Sequence, residues 1–380
     1  MNRSNLSLLC LICSLPLSLS SPGFATGQTR SFSEDPEILL GLKLDRSPSM
    51  TFVDVEGDGD MDVLVANGRH WPQANEVFLN NGRGRFTLGY PLGEGFSTSY
   101  GVPAGDLDGD GNPDVVVAND QAPNQIFLND GSGHFTLAGA LGPEVEPTRG
   151  VVLAELNGDG RLDALVMNRG AENGIYLNQG DGVFGAKQGF GTSDDSTISL
   201  TVSDVDRDGY PDLVLANRDG QANAVYLNDG AMGFSESRPF GTGHDETRDV
   251  GVADMDGDGH LDLVAVNIGE VNGVYFGDGT GGFNEGVPFG GEEAQSYSVV
   301  VVDMDKDGDP DIVVGNVRSQ NAVYFNDGTG RSFTAVRFGG SGDITYGVAV
   351  GDVNGDGFPD VGVANSDGLN GIHLNRPAGG

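Results

Sequence analysis

The nonapeptide DVNGDGFPD, residues 352–360, places three aspartates and one asparagine around a glycine-containing turn. Six related nonapeptides precede it, and successive copies start 49 to 52 residues apart. They are DVEGDGDMD (54–62), DLDGDGNPD (106–114), ELNGDGRLD (155–163), DVDRDGYPD (204–212), DMDGDGHLD (254–262) and DMDKDGDPD (303–311). Self-similarity at such a period indicates a solenoid or a propeller. Half of the chain's 56 acidic residues lie in these copies, so the acidity is concentrated in loops.

Each repeat contains short apolar runs of strand length without helical periodicity. In residues 345–375, YGVAV precedes the acidic loop, VGVAN follows it, and GIHLN forms a third run. Other repeats add a fourth run, as in HFTLAG (134–139), GFSES (233–237) and SFTAV (332–336). Four strands per unit in seven units predict an all-β, seven-bladed β-propeller with four-stranded blades. A linear β-solenoid is the alternative, but its repeats are shorter and carry fewer strands.

The two ends of the sequence predict how the ring closes. Only two strand runs follow the last acidic loop, whereas RSFSEDPEILLG (30–41) is similar to MGFSESRPFGTG (232–243), which holds a fourth run. An N-terminal strand is therefore expected to complete the last blade and to leave no long exposed edge. The predicted organisation is a signal peptide (1–25), an N-terminal segment with the closing strand (26–48), the propeller (49–376) and a short tail (377–380).

The N-terminus has the pattern of a secretory signal peptide. Arg3 precedes an apolar stretch over residues 6–19 that is interrupted by Pro16, and small residues lead to a predicted cleavage site after Ala25. The stretch is too short for a stable membrane span, which disfavours a retained anchor. Both cysteines, Cys10 and Cys13, lie in this removable segment, so the mature chain has no disulfide. We therefore expect an extracellular or periplasmic protein that metal ions stabilise.

Asparagines recur in register around the loop that follows the second strand run. One set ends that run and a second set opens the third run, at Asn67, Asn119, Asn168, Asn217, Asn267, Asn316 and Asn365 and at Asn75, Asn124, Asn173, Asn223, Asn272, Asn321 and Asn370. Asparagine side chains bond nearby backbone groups in tight turns. This regularity predicts a structural role.

The acidic loops have the spacing of a calcium site. The pattern D-x-[DN]-x-D-G-x-x-D resembles the first nine positions of an EF-hand loop, with oxygen side chains at positions 1, 3, 5 and 9, a backbone carbonyl at 7 and a turn glycine at 6. A strand run follows where an EF-hand helix would begin. Mg²⁺ fits less well because it requires strict octahedral geometry, and Zn²⁺ would require Cys or His ligands. We predict up to seven Ca²⁺ ions, one in each loop.

The predicted ligands occupy positions 1, 3, 5, 7 and 9 of every loop, with position 7 acting through its carbonyl. They are Asp54, Glu56, Asp58, Asp60 and Asp62; Asp106, Asp108, Asp110, Asn112 and Asp114; Glu155, Asn157, Asp159, Arg161 and Asp163; Asp204, Asp206, Asp208, Tyr210 and Asp212; Asp254, Asp256, Asp258, His260 and Asp262; Asp303, Asp305, Asp307, Asp309 and Asp311; and Asp352, Asn354, Asp356, Phe358 and Asp360.

The loops differ in charge. Those that start at residues 106, 204, 254 and 303 have a full carboxylate set, whereas Glu56, Glu155, Asn157 and Asn354 lengthen or neutralise ligands in the first, third and last loops. We expect the weakest binding in the third loop, and chelation should melt that blade first.

These loops, together with the triplets PFG, GFG and RFG before the next blade, resemble the FG-GAP and VCBS-type repeats of integrin α propellers over residues 30–375. The chain departs from integrins because YGVPAGD or YGVAVGD replaces the Gly-Ala-Pro tripeptide and because all repeats carry the acidic motif. The resemblance implies a bacterial-type secreted member. It also implies that the calcium loops share one face, with the loops between strands 2 and 3 and between blades on the other.

On that other face the repeats diverge. Six residues before each acidic loop stand Pro48, Tyr100, Arg149, Ile198, Arg248, Tyr297 and Tyr346. If the first strand is innermost, these residues surround the channel mouth, where they either bind a ligand or plug the channel; tyrosine and arginine are favoured at binding sites. The loop NGRHWPQANE (67–76) adds Arg69, His70 and Trp71, and Trp71 either stacks on a sugar or caps the first blade.

Three functions remain open from the sequence. The leading hypothesis is a monomeric, non-catalytic adhesion module that binds a glycan, matrix component or protein through Arg69, His70, Trp71, Tyr100, Arg149, Arg248, Tyr297 and Tyr346. The second is a polysaccharide lyase or hydrolase that uses His70 or His244 with acids such as Asp245, although no nucleophile motif is present. The third is a purely structural surface module. The net charge of −36 disfavours nucleic acid and anionic membranes as partners.

Overall fold

The computed structural model describes residues 29–35, 37–86, 88–284, 286–291 and 295–378. These residues form 29 strands and no helix, as the all-β prediction requires. None of the described segments is a helix that could cross a membrane. The predicted signal peptide lies outside the described residues, and the predicted domain boundaries remain predictions.

The strands follow the sequence repeats. Strand β1 spans Arg30–Glu34. The first repeat holds β2 (Ser49–Val53), β3 (Asp62–Ala66), β4 (Glu76–Leu79) and β5 (Leu88–Pro91). The second holds β6 (Ser99–Gly101), β7 (Ala104–Gly105), β8 (Asp114–Ala122), β9 (Gln125–Asn129) and β10 (Phe135–Ala140). The third holds β11 (Glu146–Ala154), β12 (Asp163–Asn168), β13 (Asn173–Tyr176) and β14 (Gln188–Phe190). The fourth holds β15 (Thr197–Ser203), β16 (Asp212–Asn217), β17 (Asn223–Leu227) and β18 (Glu236–Phe240). The fifth holds β19 (Thr247–Ala253), β20 (Asp262–Asn267), β21 (Asn272–Tyr275) and β22 (Val287–Phe289). The sixth holds β23 (Ser296–Val302), β24 (Asp311–Asn316), β25 (Asn321–Asn326) and β26 (Phe333–Phe338). The last holds β27 (Thr345–Gly351), β28 (Asp360–Asn365) and β29 (Gly371–Pro377).

The sheets are antiparallel and repeat along the chain. Four sheets pair their strands in chain order, namely β2–β5, β15–β18, β19–β22 and β23–β26. A fifth four-stranded sheet has the order β27-β28-β29-β1, and β6 to β14 form one larger sheet. The first strands of neighbouring repeats contact each other. For example, β15 contacts β19, and β19 contacts β23. First strands therefore lie innermost and the sheets extend outward from them, which is the arrangement of a β-propeller.

The second strand of each repeat forms the core. Strand β16, with the sequence DLVLAN, is buried at every position. Consecutive apolar residues suit this strand because neighbouring sheets cover both of its faces. Val214 packs with Val225 and Val250 in one cluster, whereas Leu213 and Leu215 pack in another. The core is thus a series of clusters between adjacent sheets.

The N-terminal strand pairs with the C-terminal strand, as the similarity of residues 30–41 to the internal fourth run in residues 232–243 predicts. Arg30 lies opposite Pro377, and Phe32 lies opposite Asn375. The Phe32 ring packs on Phe338 of the preceding sheet, with 5.5 Å between the ring centroids. The two ends of the chain therefore share one sheet.

Pro103 interrupts the first strand of the second repeat. Strand β6 ends its pairing with β8 at Gly101, and β7 resumes the pairing at Ala104. Proline has no N–H to donate to the ladder, although its carbonyl accepts a hydrogen bond from the Val116 N–H at 3.1 Å. The sequence pattern did not predict this break.

The second and third repeats are joined at a sheet edge. Strand β8 runs past its own sheet, so Asp120 pairs with Pro147 and Ala122 pairs with Glu146 of β11. This short ladder merges the two repeats into a nine-stranded sheet. The prediction of separate four-stranded blades is therefore wrong at this position.

The fourth strands agree with the predicted runs in two repeats and depart in one. Strands β10 and β26 begin at Phe135 and Phe333, inside the predicted runs. Strand β18 begins at Glu236, three residues later than predicted. The cause is a turn in which the Gly233 carbonyl accepts a hydrogen bond from the Asp229 N–H at 3.1 Å.

The recurrent asparagines link the sheets, which confirms their predicted structural role. Asn75 Oδ1 accepts a hydrogen bond from the Asn67 N–H at 2.8 Å, and Asn75 Nδ2 donates to Ser99 Oγ of the next repeat at 3.0 Å. The link to a Ser or Thr of the following repeat recurs in every repeat. In the last repeat, Asn370 Nδ2 donates to Ser47 Oγ at 3.0 Å.

Candidate metal loops and the inner-strand cavity

The aspartate at position 9 anchors each acidic loop to the core. All seven are buried, at 0 or 1% exposure: Asp62, Asp114, Asp163, Asp212, Asp262, Asp311 and Asp360. In the fourth repeat, Asp212 Oδ2 accepts a hydrogen bond from the Val205 N–H at 3.0 Å, and Oδ1 accepts one from the Asn228 N–H at 2.9 Å. The same pair of backbone donors holds the position 9 carboxylate in the other loops, as Asp311 shows.

The remaining aspartates fold the loop around themselves. Asp204 Oδ2 accepts a hydrogen bond from the Gly209 N–H at 3.0 Å, and Asp206 Oδ1 accepts one from the Asp208 N–H at 3.1 Å. Gly209, at position 6, has a φ of 92°, a conformation that favours glycine. Backbone donors therefore engage one oxygen of Asp204 and one of Asp206, and they hold both side chains toward the loop centre.

Four loops bring three carboxylates together. One oxygen from each of positions 1, 3 and 9 lies within 4.8 Å of the other two in these groups: Asp106, Asp108 and Asp114; Asp204, Asp206 and Asp212; Asp254, Asp256 and Asp262; and Asp303, Asp305 and Asp311. These are the loops in which the sequence has a full carboxylate set. Each cluster can hold a metal ion.

Several carboxylate oxygens in the loops are buried without a hydrogen-bond partner. They include Asp204 Oδ1 and Asp254 Oδ1 at position 1, Asp305 Oδ1 at position 3 and Asp60 Oδ1 at position 7. Buried polar atoms in folded proteins normally have a partner. Oxygens grouped in this way fit a hard divalent cation, which takes six to eight oxygen ligands in the case of Ca²⁺.

The raised pKa values of the position 9 aspartates also indicate a cation site. Burial and, to a smaller extent, the neighbouring aspartates raise the pKa of Asp212 and of Asp262 to about 6, against the lowering effect of the two backbone donors. Burial likewise raises the pKa of Asp311 and of Asp360 to about 7. The protein environment thus makes the charged form of these carboxylates less favourable than it is in water, and a bound cation would offset that cost.

The other loops differ in their side chains. The first and third loops carry a glutamate, and the third and last carry an asparagine, where the four clusters have aspartate. In the third loop, Arg161 at position 7 forms an ion pair with Asp159 at position 5. Arg161 therefore supplies a positive charge to the loop that a metal ion would otherwise supply. The weaker metal affinity of this loop remains a prediction.

Asparagines at the ends of the third strands fasten five of the seven loops to an adjacent sheet, among the described residues. Asn129 Nδ2 donates to the Val55 carbonyl at 2.8 Å, and Val55 occupies position 2 of the preceding loop. The same contact recurs in other repeats through Asn80, Asn178, Asn326 and Asn375. The fifth repeat has Gly277 at this position, which provides no side chain. The loops are thus part of the contacts between sheets.

A cavity of about 220 Å³ lies at the opposite end of the inner strands. In β15, Ile198 and Ser199 line the cavity, whereas the acidic loop begins at Asp204, after the strand ends. A seven-residue strand at about 3.3 Å per residue separates the two by roughly 20 Å. The cavity and the acidic loops therefore occupy opposite faces.

Arginine and aromatic side chains pack against each other in this cavity. The Arg69 guanidinium lies 3.7 Å from the Tyr346 ring centroid, and the Tyr346 and Tyr297 rings meet edge to face at 4.6 Å. The Arg248 guanidinium lies 5.4 Å from the Tyr297 ring centroid. The cavity lining therefore contains cation–π contacts and the flat, apolar surfaces of the tyrosine rings.

A second group of contacting side chains in the cavity lining consists of Arg149, Tyr100 and His70. The Arg149 guanidinium lies 4.6 Å from the Tyr100 ring centroid. The Tyr100 hydroxyl lies 3.2 Å from His70 Nδ1, within hydrogen-bond distance. Burial lowers the pKa of His70, and the charges of Arg69 and Arg149 lower it further, so the imidazole is neutral at neutral pH.

Comparison with known families identifies the repeat. A model described as FG-GAP-like repeat matches the chain six times, over residues 54–117, 106–166, 155–215, 204–265, 254–314 and 303–363. Together these matches span most of the chain. The chain belongs to the FG-GAP-like repeat family. The resemblance drawn from the acidic loops is thereby confirmed.

Solved structures share the fold of this FG-GAP-like protein at low identity. The BP39L lectin from Burkholderia pseudomallei is 13% identical, with a TM-score of 0.66 over 88% of this chain and 98% of that chain. BBS1N, crystallised in complex with ARL6DN, is 12% identical, with a TM-score of 0.61 over 93% of this chain and 99% of that chain. No curated protein sequence matches the FG-GAP-like chain significantly.

The structure brings most of the predicted ligand-binding residues of this FG-GAP-like protein together. Seven of them line the cavity: Arg69, His70, Tyr100, Arg149, Arg248, Tyr297 and Tyr346. Trp71 does not, and its side chain is 64% exposed. Asp245, the acid named for a catalytic role with His70 or His244, accepts hydrogen bonds from Thr242 N–H and Oγ1.

Three charged lining residues of the FG-GAP-like chain were not predicted from the sequence: Arg169, Arg218 and Asp249. Arg169 and Arg218 directly follow the asparagines that end β12 and β16. Asp249 lies in β19 at the register where Ser199 and Ser298 stand in other inner strands. An alignment of the repeats shows Asp249 as a departure from the Ser or Gly of the other repeats, whereas the residue that follows the second-strand asparagine varies from repeat to repeat.

Proposed function

We propose that this FG-GAP-like protein is an exported, calcium-stabilised, seven-bladed propeller that binds a glycan or protein ligand without transforming it. The ligand would bind at the cavity between the starts of the inner strands, with the calcium loops on the opposite face. The observation that carries the proposal is this separation, since it leaves the divergent arginines and tyrosines free for recognition while the repeated acidic loops hold the fold together.

The partnerless carboxylate oxygens support calcium as the stabilising ion. Asp204 Oδ1 and Asp254 Oδ1 are buried, and each belongs to a cluster of three aspartates. Carboxylates at positions 1, 3, 5 and 9 of each loop would hold the ion, together with the carbonyl at position 7. A bound Ca²⁺ would compensate the repulsion among these carboxylates, and its binding free energy would add to the stability of the fold.

Contacts between the first and last repeats support a closed seven-bladed ring. Asn80 of the first repeat donates to the Val353 carbonyl of the last, and Asn370 of the last donates to Ser47 before the first. Inner strands β2 and β27 also contact each other. With β1 as the outer strand of the last sheet, the four-stranded count of that blade is complete. Closure leaves no inner edge for pairing with another chain.

The structural neighbours and the composition of the cavity support a binding role. BP39L is a lectin, and BBS1N was crystallised with ARL6DN, so propellers of this shape serve glycan and protein recognition. Tyrosine and arginine, which line the cavity, are the residue types enriched at binding hot spots. Export, predicted from the N-terminal segment, would expose the cavity to extracellular or periplasmic ligands, with the protein as a monomer.

Polysaccharide cleavage is the second candidate function, favoured by one contact. The Tyr100 hydroxyl and His70 Nδ1 are 3.2 Å apart at the edge of the cavity. A neutral imidazole beside a phenol can act as a general base and acid pair in a lyase reaction. Arg69 and Arg149 would then bind an acidic substrate.

A glycan array incubated with the mature protein tests the proposed function. We expect retention of a subset of glycans in calcium and loss of retention after chelation, with no new unsaturated or reducing ends in a parallel digestion assay. Release of such ends would favour the second candidate. Absence of both retention and cleavage, together with absence of captured protein partners, would contradict the binding role and favour a structural module.

A further inference from the structure

The inner-strand cavity concentrates positive charge in an acidic protein. The chain has 20 Lys and Arg residues against 56 acidic residues. Five of its arginines nevertheless line this one cavity: Arg69, Arg149, Arg169, Arg218 and Arg248. They come from four of the repeats, since Arg149 and Arg169 both belong to the third, and most of the equivalent positions in the other repeats hold other residue types.

Nearby acids neutralise these arginines only in part. Arg149 pairs with Asp120 at 2.8 Å, and Asp219 is shared between Arg169 at 2.9 Å and Arg218 at 3.0 Å. Arg69 has no ion pair among the described residues and lies against Tyr346 instead.

Another acidic neighbour, Asp249, is held by hydrogen bonds from the inner strands. Its carboxylate accepts hydrogen bonds from Ser199 Oγ at 2.6 Å and from the Val250 and Val299 N–H groups at 2.9 and 2.8 Å. Burial raises its pKa. Asp249 therefore ties three inner strands together, and its carboxylate is engaged by donors from those strands.

Arg248 has unused hydrogen-bond donors in the cavity wall. Its side chain is only 6% exposed, and Nη2 lies 3.2 Å from Glu246. Its Nε and Nη1 atoms are buried and have no partner. A buried guanidinium with unpaired N–H groups is unfavourable, and an anionic acceptor in the cavity would satisfy them.

The remaining lining indicates the kind of anion. The rings of Tyr100, Tyr297 and Tyr346 offer flat surfaces that suit the C–H faces of a sugar ring. A volume of about 220 Å³ is in the range for one monosaccharide unit rather than an extended chain. Nucleic acid is disfavoured by the net charge of −36.

We propose that the cavity binds a single negatively charged sugar residue, whose carboxylate or sulfate group accepts hydrogen bonds from Arg248 and faces Arg69 and Arg218. This proposal rests on the proposed binding function and narrows it to acidic glycans. The tyrosine rings contact the sugar ring, and the arginines select for its charge.

Binding of matched monosaccharides to the calcium-loaded protein tests the proposal. Glucuronate and glucose 6-sulfate should each bind at least tenfold more tightly than glucose at constant ionic strength, by calorimetry or ligand-observed NMR. The better of the two identifies carboxylate or sulfate as the preferred group. Equal affinity for glucose and both acidic sugars would overturn the proposal. So would equally tight binding of inorganic sulfate alone, which would indicate an adventitious ion only.

Two arginine variants test which side chains contact the acidic sugar. Arg248→Gln should weaken binding of the preferred acidic sugar at least tenfold, and Arg69→Gln, at a partly exposed position, provides a second variant that is less able to disturb folding. Arg337→Gln, on the exposed surface of β26, is the matched control and should bind as the wild type does. Unchanged affinity in both cavity variants would overturn the assignment. If neutral glycans are retained on the array but acidic monosaccharides do not bind, the proposed function stands and this inference fails.

Discussion

The side-chain amide of Asn80 donates a hydrogen bond to the backbone carbonyl of Val353, 2.8 Å away, across 273 positions of sequence. Val353 is the second residue of the last acidic loop, and Asn80 follows the third strand of the first repeat. This bond therefore joins the first and last sheets directly. It also makes the acidic loop part of the contact between them.

Replacing Asn80 with Ala should lower the free energy of unfolding by about 1–3 kcal/mol, because the buried Val353 carbonyl loses its donor. Asn228→Ala is the matched control. Asn228 has the equivalent contact with Pro211 in its own loop but, among the described residues, makes no bond to the preceding sheet. Chemical denaturation should show a larger loss for Asn80→Ala than for Asn228→Ala. Equal losses would mean that the hydrogen bond between Asn80 and Val353 contributes nothing to the free energy of unfolding.

Gly209→Ala should weaken calcium binding and destabilise the fourth loop. Gly209 has a φ of 92°, and a Cβ at this position would meet no atom within 4 Å, so the cost arises from the backbone conformation alone. We expect about 1–2 kcal/mol. Gly342→Ala is the control, because Gly342 is exposed, is not in the left-handed region and also has open space around it. Calcium titrations followed by thermal unfolding should separate the two variants.

Arg161→Asn should increase the calcium affinity of the third loop. Arg161 forms an ion pair with Asp159, whereas the equivalent position in the second loop is Asn112. Removing the guanidinium would free Asp159 for the ion and remove a repelling positive charge. Calorimetric titration should reveal tighter binding at the weakest site, or one additional ion. An unchanged titration would show that Arg161 does not limit this loop.

His373 should make the fold sensitive to acid. Its side chain is 3% exposed, its Nδ1 has no partner, and burial lowers its pKa from 6.5 to about 4. Between these values the unfolded chain binds a proton that the folded chain does not. The free energy of unfolding should therefore fall as the pH drops from about 6.5 to about 4, by at most about 3 kcal/mol.

His373→Phe should remove this contribution, leaving a shallower pH dependence of the calcium-saturated protein in denaturant titrations. His244→Phe, at an exposed position, is the control and should keep the slope of the wild type. A wild-type slope in His373→Phe would assign the acid sensitivity to other groups.

The repeat made the strands and the acidic loops predictable, because each is encoded by residues close in sequence and confirmed by several copies. The pairing of Arg30–Glu34 with Gly371–Pro377 was also predictable, since the N-terminal run matches an internal fourth strand. Local deviations from the repeat were not predictable. The break at Pro103 and the ladder between Asp120 and Pro147 depend on side chains and strand lengths that are specific to one repeat.

The candidate binding cavity was predictable only in part. Residues six positions before each loop could be identified because the repeat fixes their register, and Tyr100, Arg248 and Tyr346 are among them. Arg169 and Arg218 reach the cavity from loops of variable length, so their convergence depends on how the sheets are arranged around the axis. The role of Asp249 as a tie between inner strands depends on contacts about 50 residues away in both directions.

Calcium removal shows whether metal ions in the acidic loops hold the fold together. Each site that is saturated at one hundred times its dissociation constant stabilises the fold by about 2.7 kcal/mol. The account predicts at least four bound Ca²⁺ ions per chain by metal analysis, corresponding to the four aspartate clusters. It also predicts a melting temperature that falls by at least about 10 °C in excess EGTA and recovers on addition of Ca²⁺. A metal-free protein with the same melting temperature in calcium and in EGTA would contradict it.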